Sequence, residues 1–170
     1  PDSLKAKIFL DSGDPEESRA VLKLLGFLDG QTTNPTLVLK NPEAARRIAK
    51  GEKFSSEEAL GFYRAIVRKI SQLLASGSVS VEVAADTMTR AEEMFDQGKE
   101  MFSWIPNAHV KFPTTTEGLR AAQMALKERM RVNMTLCFSQ EQAAAVYAAT
   151  AGAKRGDVYV SPFVGRLDDR

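Results

Sequence analysis

The stretch SVSVEV, Ser78–Val83, alternates at every position. A strand sends successive side chains to opposite faces, so Val79, Val81 and Val83 share one face and Ser78, Ser80 and Glu82 the other. A strand covered by helices on both faces of an open sheet should be apolar almost throughout; this one has a single apolar face. The same split recurs on both sides of it. In KIFLD, Ile8 and Leu10 oppose Phe9 and Asp11; in AHVKFP, Val110 and Phe112 oppose His109 and Lys111. In VNMTLCF, Met134, Leu136 and Phe138 oppose Asn133, Thr135 and Cys137, and in DVYVSPF, Val158 and Val160 oppose Tyr159 and Ser161.

Between these runs lie amphipathic segments with helix caps. One starts at Asp14, with Pro15 at its first position and Glu17 completing a box-like cap. LDGQTTN reads as the second strand, followed by Asn34-Pro35 and a helical region interrupted at Gly51. Ser55 with Glu58, Thr114 with Glu117, and Ser139 with Gln142 read as capping boxes, opening helices that end near Gly77, near Met130 and at Gly152. TRAEEMFDQGKEMF is the helix after SVSVEV. Strands regularly separated by helices imply parallel pairing through right-handed crossovers. The choice then lies between an open doubly wound sheet and a closed barrel. No GxGxxG or GxxxxGK[ST] loop follows any strand, and the recurring polar face favours the barrel, which gathers the ends of its inner faces around one mouth. The predicted fold is α/β, a (β/α)8 TIM barrel. Such a barrel typically takes about 250 residues, so the 170 residues are expected to cover only about the first six βα units of a single, C-terminally incomplete domain, 1–170.

Composition narrows the function classes. Lysine and arginine number 23 against 22 for aspartate and glutamate, which leaves no surplus charge to drive nucleic-acid binding. No apolar run approaches the roughly 18 residues of a membrane helix, and with no leader before the first strand a cytoplasmic location is expected. Cys137 is the one cysteine and His109 the one histidine, so neither an intrachain disulfide nor a histidine-rich metal site is expected. What remains is the mouth, where Asp11, Glu82, Lys111, Asn133, Thr135 and Ser161 would converge from separate strands. The bland alternative is an internal salt bridge of Lys111 with Glu82 or Asp11, contributing little net stability.

The blocks LDSGDPEE, DGQTTNPTL, VSVEV, VKFPTTTEGL, VNMTLCFSQEQA and AGAKRGDVYVSPFVGRLDD, in this order, resemble the transaldolases and the similar fructose-6-phosphate aldolases over nearly the whole chain. The resemblance implies class I aldol chemistry through a lysine Schiff base, sugar-phosphate substrates and no cofactor. It matches Lys111 to the Schiff-base lysine, Asp11 to the acid/base aspartate and Glu82 to a glutamate acting through a water. Asn133 and Thr135 match residues around the carbinolamine, Asn34 and Ser161 groups that hold substrate hydroxyls, and Arg166 a phosphate-binding arginine. Glu82, where the aldolase branch has glutamine, and Phe163, where it has tyrosine, place the chain on the transaldolase side. The implied reaction is transfer of a dihydroxyacetone unit between sugar phosphates in the pentose phosphate pathway, by a homo-oligomer. Fructose-6-phosphate aldolase and a non-catalytic sugar-phosphate-binding partial barrel are the alternatives. A lysine amine must be unprotonated to attack a carbonyl, and burial favours that form; Glu82 is accordingly expected to stand off Lys111 by a water or to be partly protonated.

Overall fold

The computed structural model describes residues 6–166 of the chain. These form two compact units. One comprises the chain up to Val81 together with Trp104–Ala108, the other Glu82–Ser103 and the chain from His109 onward.

In the first unit, β1 (Phe9–Asp11), β2 (Gly30–Thr32) and β3 (Ser78–Glu82, up to Val81) pair in parallel, with Asp11 opposite Thr32 and Thr32 opposite Ser80. Helix α1 (Pro15–Leu25) is capped by the Asp14 carboxylate, which accepts from the Glu16 N–H, and it ends at Gly26, whose φ of 77° is the left-handed conformation of a C-terminal stop. Glu17 does not close the expected box. It accepts instead from the Ser12 hydroxyl, while the Asp14 N–H donates to Ser12 Oγ at 3.0 Å. The helical region after Asn34 is two helices, α2 (Pro35–Leu39) and α3 (Pro42–Ala49), because Asn41 caps the second before Pro42 and breaks the run well ahead of Gly51. Helix α4 (Ser56–Leu73) opens on the predicted Ser55–Glu58 capping box. It buries Tyr63, Ile66, Val67 and Ile70.

The helix-facing side of β2 is polar but satisfied. Fully buried Gln31 accepts from the Ser18 hydroxyl at 2.7 Å and donates to the Ser12 carbonyl at 2.8 Å, and Thr33 pairs with the Tyr63 hydroxyl at 2.8 Å. Each buried polar atom so paired avoids a desolvation cost of about 1–3 kcal/mol.

In the second unit, β4 (Ala108–Pro113, from His109), β5 (Val132–Cys137) and β6 (Val158–Pro162) are again parallel and in chain order. They alternate with α5 (Ala91–Phe102), α6 (Thr116–Lys127) and α7 (Gln140–Ala149). Val110, Phe112, Val132 and Met134 are fully buried. Gly98 of α5 lies so close to the first two that a Cβ there would meet the Phe112 ring at 2.8 Å and Val110 at 3.0 Å. This apolar face is therefore the helix side, and His109 and Lys111 look the other way. Six parallel strands alternating with helices are the pattern of a partial (β/α)8 barrel.

Two local expectations are corrected here. The N-cap of α6 is Thr115, accepting from Gly118 N–H, rather than Thr114; the Thr114 hydroxyl is drawn to the Thr135 carbonyl at 2.7 Å, and Glu117 accepts from Ala91 N–H at 2.9 Å, bracing α5. Ser139 caps α7 as expected, yet Gln142 accepts from Phe138 N–H instead of from Ser139. The alternation in β5 also breaks: three steps from Met134 to Cys137 face two from Val160 to Pro162. The extra residue is Leu136, at φ 58° and 37% exposed, so its side chain leaves the apolar face and Cys137 is buried.

Candidate active site

Lys111 is placed by β4, whose Val110 and Phe112 are fixed by helix packing and so force the residue between them onto the opposite face. Its residue is 5% exposed. Its Nζ lies 2.9 Å from Oε2 of Glu82, whose side chain is 23% exposed. Glu82 thus touches Lys111 directly and does not stand off by a water. A buried ammonium costs several kcal/mol to desolvate, and a carboxylate in contact is the compensation the strand ends can offer. Lys111 O also accepts from Val83 N–H at 3.2 Å, which ties the backbone of the lysine to the residue after the glutamate.

β5 supplies the next two groups. Asn133 stands opposite Lys111 in the β4–β5 register and Thr135 opposite Pro113; each is 1% exposed. Asn133 Oδ1 accepts from the Ser161 hydroxyl at 2.8 Å, a contact that orients the amide and recruits β6. Thr135 is held through its backbone, its carbonyl accepting both the Thr114 N–H at 2.8 Å and the Thr114 hydroxyl. Phe163 follows β6, with its N–H bonded to the Cys137 carbonyl at 2.9 Å and its ring edge-on to Phe138 at 5.2 Å. The bulge at Leu136 shifts the phase that leads to Phe138. Glu82, Lys111, Asn133, Thr135, Ser161 and Phe163 belong to one unit, in which the buried amine contacts the Glu82 carboxylate, Asn133 faces Lys111 across the sheet, and Ser161 bonds to Asn133. This arrangement offers a nucleophile, a proton carrier and hydrogen-bonding groups for a polar substrate.

Asp11 and Asn34 belong to the first unit. Asp11 is exposed at the end of β1, and its Oδ1 accepts from the Thr32 hydroxyl at 2.7 Å. Asn34 caps α2, its side chain accepting from Leu37 N–H at 2.8 Å. Arg166 closes a short 3-10 turn, Val164–Arg166, and its side chain lies outside the described residues.

The sequence reading missed four supports. Thr114 anchors Thr135, Ser161 orients Asn133, Phe138 packs on Phe163, and Tyr159 stacks on His109 at 4.4 Å. The shared parity of His109, Lys111, Tyr159 and Ser161 was a signal for some of these; nothing in VNMTLCF signals the bulge. His109 is engaged through Nε2 with the Gly156 carbonyl at 2.8 Å, a structural task at the strand entry. Among the described residues, no group of three or more histidine, cysteine, aspartate or glutamate side chains could hold a metal ion. Nor is any described helix long and apolar enough to cross a membrane.

A parallel βα chain carrying a buried lysine–carboxylate pair beyond the helix-covered face has the pattern of a partial (β/α)8 barrel with a polar site on its inner side. Comparison with known proteins narrows it. The chain matches the Transaldolase/Fructose-6-phosphate aldolase family model over residues 8–170, and it belongs to that family. It is 42% identical over 163 residues to a "Probable transaldolase" of Dehalococcoides mccartyi, covering 96% of this chain and 63% of that protein. Similar proteins from Thermus thermophilus (42% identical, 96% of this chain, 64% of the relative) and Lactiplantibacillus plantarum (39%, 96% and 62%) bear the same description. The chain thus spans a little under two thirds of the length of these relatives.

Proposed function

We propose that this chain carries the Schiff-base end of a transaldolase. The observation that carries the reading is Lys111, a residue 5% exposed whose amine lies 2.9 Å from Glu82, with Asn133 directly across the sheet. In its neutral form the amine attacks C2 of a ketose phosphate such as fructose 6-phosphate or sedoheptulose 7-phosphate. Glu82 relays the proton as the carbinolamine loses water to give the iminium, a role supported by its contact with Nζ. The iminium then accepts the electron pair of the C3–C4 bond, the C4 hydroxyl gives its proton to Asp11, and the aldose phosphate departs. The remaining enamine adds to an acceptor aldehyde, and water releases the product ketose. Asn133 and Thr135 serve the carbinolamine, Ser161 and Asn34 hold substrate hydroxyls, and Arg166 clamps the phosphate with its planar fork.

Transfer is favoured over release of free dihydroxyacetone because Phe163 has no hydroxyl near the iminium to deliver a proton or water. The same reading makes residues 1–170 one barrel-type domain of a cytoplasmic homo-oligomer in the pentose phosphate pathway that takes sugar phosphates and no nucleic acid. The test compares fructose 6-phosphate alone with fructose 6-phosphate plus erythrose 4-phosphate. Rapid sedoheptulose 7-phosphate formation with slow free dihydroxyacetone supports it. Equal consumption with and without acceptor assigns the aldolase instead, and no turnover in either leaves the sugar-phosphate binder.

A further inference from the structure

A cavity of about 860 Å³ opens at the amino-terminal entry of β5 and β6, and none of the residues that hold Lys111 lines it. Its volume falls in the range of small-molecule sites, about 300–1,000 Å³. Four cationic side chains, Lys127, Arg129, Arg131 and Lys154, line it with one carboxylate, Asp157. In a chain whose charges otherwise nearly cancel, 23 against 22, this is a concentrated positive site. Among the described residues Lys127, Arg129 and Lys154 enter no ion pair, although the adjacent Glu128 pairs with Lys99 at 2.8 Å.

A basic residue in the last turn of a helix is explained by the helix dipole, and that accounts for Lys127 in α6. It does not account for the other three, which follow the helices. Arg129 has φ 61°, the left-handed conformation usually given to glycine after a helix end. Arg131, just before β5, has its guanidinium 5.5 Å from the centre of the Phe102 ring, and its carbonyl accepts from Val110 N–H at 2.9 Å, so both its head and its backbone are fixed. The Arg129 guanidinium fork with the Lys127 and Lys154 ammonium groups in one concavity suits a ligand with several phosphate oxygens, because the fork meets two oxygens at once.

We propose that this cavity is a binding site for a small polyphosphorylated anion, separate from the Lys111 site. The probe is inorganic pyrophosphate, titrated calorimetrically into the full chain at fixed low ionic strength. One-to-one binding is expected, weakened by about tenfold or more in Arg129→Gly/Lys154→Ala and unchanged in Lys111→Met. Asp157→Asn should tighten it. Arg129→Gly alone relaxes the left-handed backbone, so it should weaken binding while melting no lower than the parent, which separates a lost contact from a lost fold. No binding at millimolar pyrophosphate, an affinity untouched by Arg129→Gly, or an affinity lost in Lys111→Met would overturn the proposal.

Discussion

Removing Lys111 should reveal how strongly it is coupled to Glu82. At 2.9 Å the gross attraction is about 6 kcal/mol at an effective dielectric of about 20. Most of this is offset by desolvation: the lysine side chain is 6% exposed, while the glutamate side chain, at 23%, keeps part of its water. A net coupling of about 1–3 kcal/mol is expected between Lys111→Met and Glu82→Gln in a double-mutant cycle. Methionine preserves much of the lysine stem, so Lys111→Met should fold and should melt lower by roughly 2–10 °C for a chain of this size. Glu82→Gln alone leaves an ammonium without its counter-charge and should cost at least as much. The double variant should recover part of both losses. The assay is urea unfolding of the four proteins under identical buffer, with the slopes compared to exclude a change in the unfolded ensemble. Additive losses, within about 0.5 kcal/mol, would refute the argument that the pair is a mutually dependent buried unit.

Gly118→Ala puts a Cβ 1.9 Å from the Pro113 carbonyl oxygen at the end of the lysine strand, and it should cost about 3 kcal/mol, read as a fall in thermal midpoint. Glu117 is held below the ordinary glutamate range, first by the Ala91 N–H and also by Arg120. Its stabilising contribution should be present in full above the ordinary glutamate pKa of about 4.3 and be lost as pH falls through the lower folded value. In Glu117→Gln that segment of the stability–pH curve should flatten; an unchanged slope would contradict the assignment. Phe163→Tyr should shift the product ratio from transfer toward free dihydroxyacetone, measured with and without erythrose 4-phosphate. An unchanged ratio would remove the hydroxyl argument.

The alternation of β3 and β4 was legible because helix packing demands apolar residues at every second position, and that demand fixes where Glu82 and Lys111 must look. The capping box at Ser55 was legible because its two hydrogen bonds are local. Thr114 was misread for the opposite reason. Its hydroxyl could cap a helix or reach the neighbouring strand, and the Thr135 carbonyl, distant in sequence, won. Leu136 was unreadable: a left-handed residue in a bulge ordinarily announces itself as glycine or asparagine, and here it is a leucine. Direct contact between Glu82 and Lys111 was not legible, since sequence cannot supply the distance between two strand ends.

The proposed chemistry requires a covalent intermediate on Lys111. Incubation with fructose 6-phosphate and borohydride, followed by proteolysis and mass spectrometry, tests it directly. A reduced dihydroxyacetone-derived or hexose phosphate adduct is expected on the peptide containing Val110-Lys111-Phe112, absent without sugar and absent in Lys111→Met. An adduct on another lysine, or none under conditions in which the sugar is turned over, would contradict it.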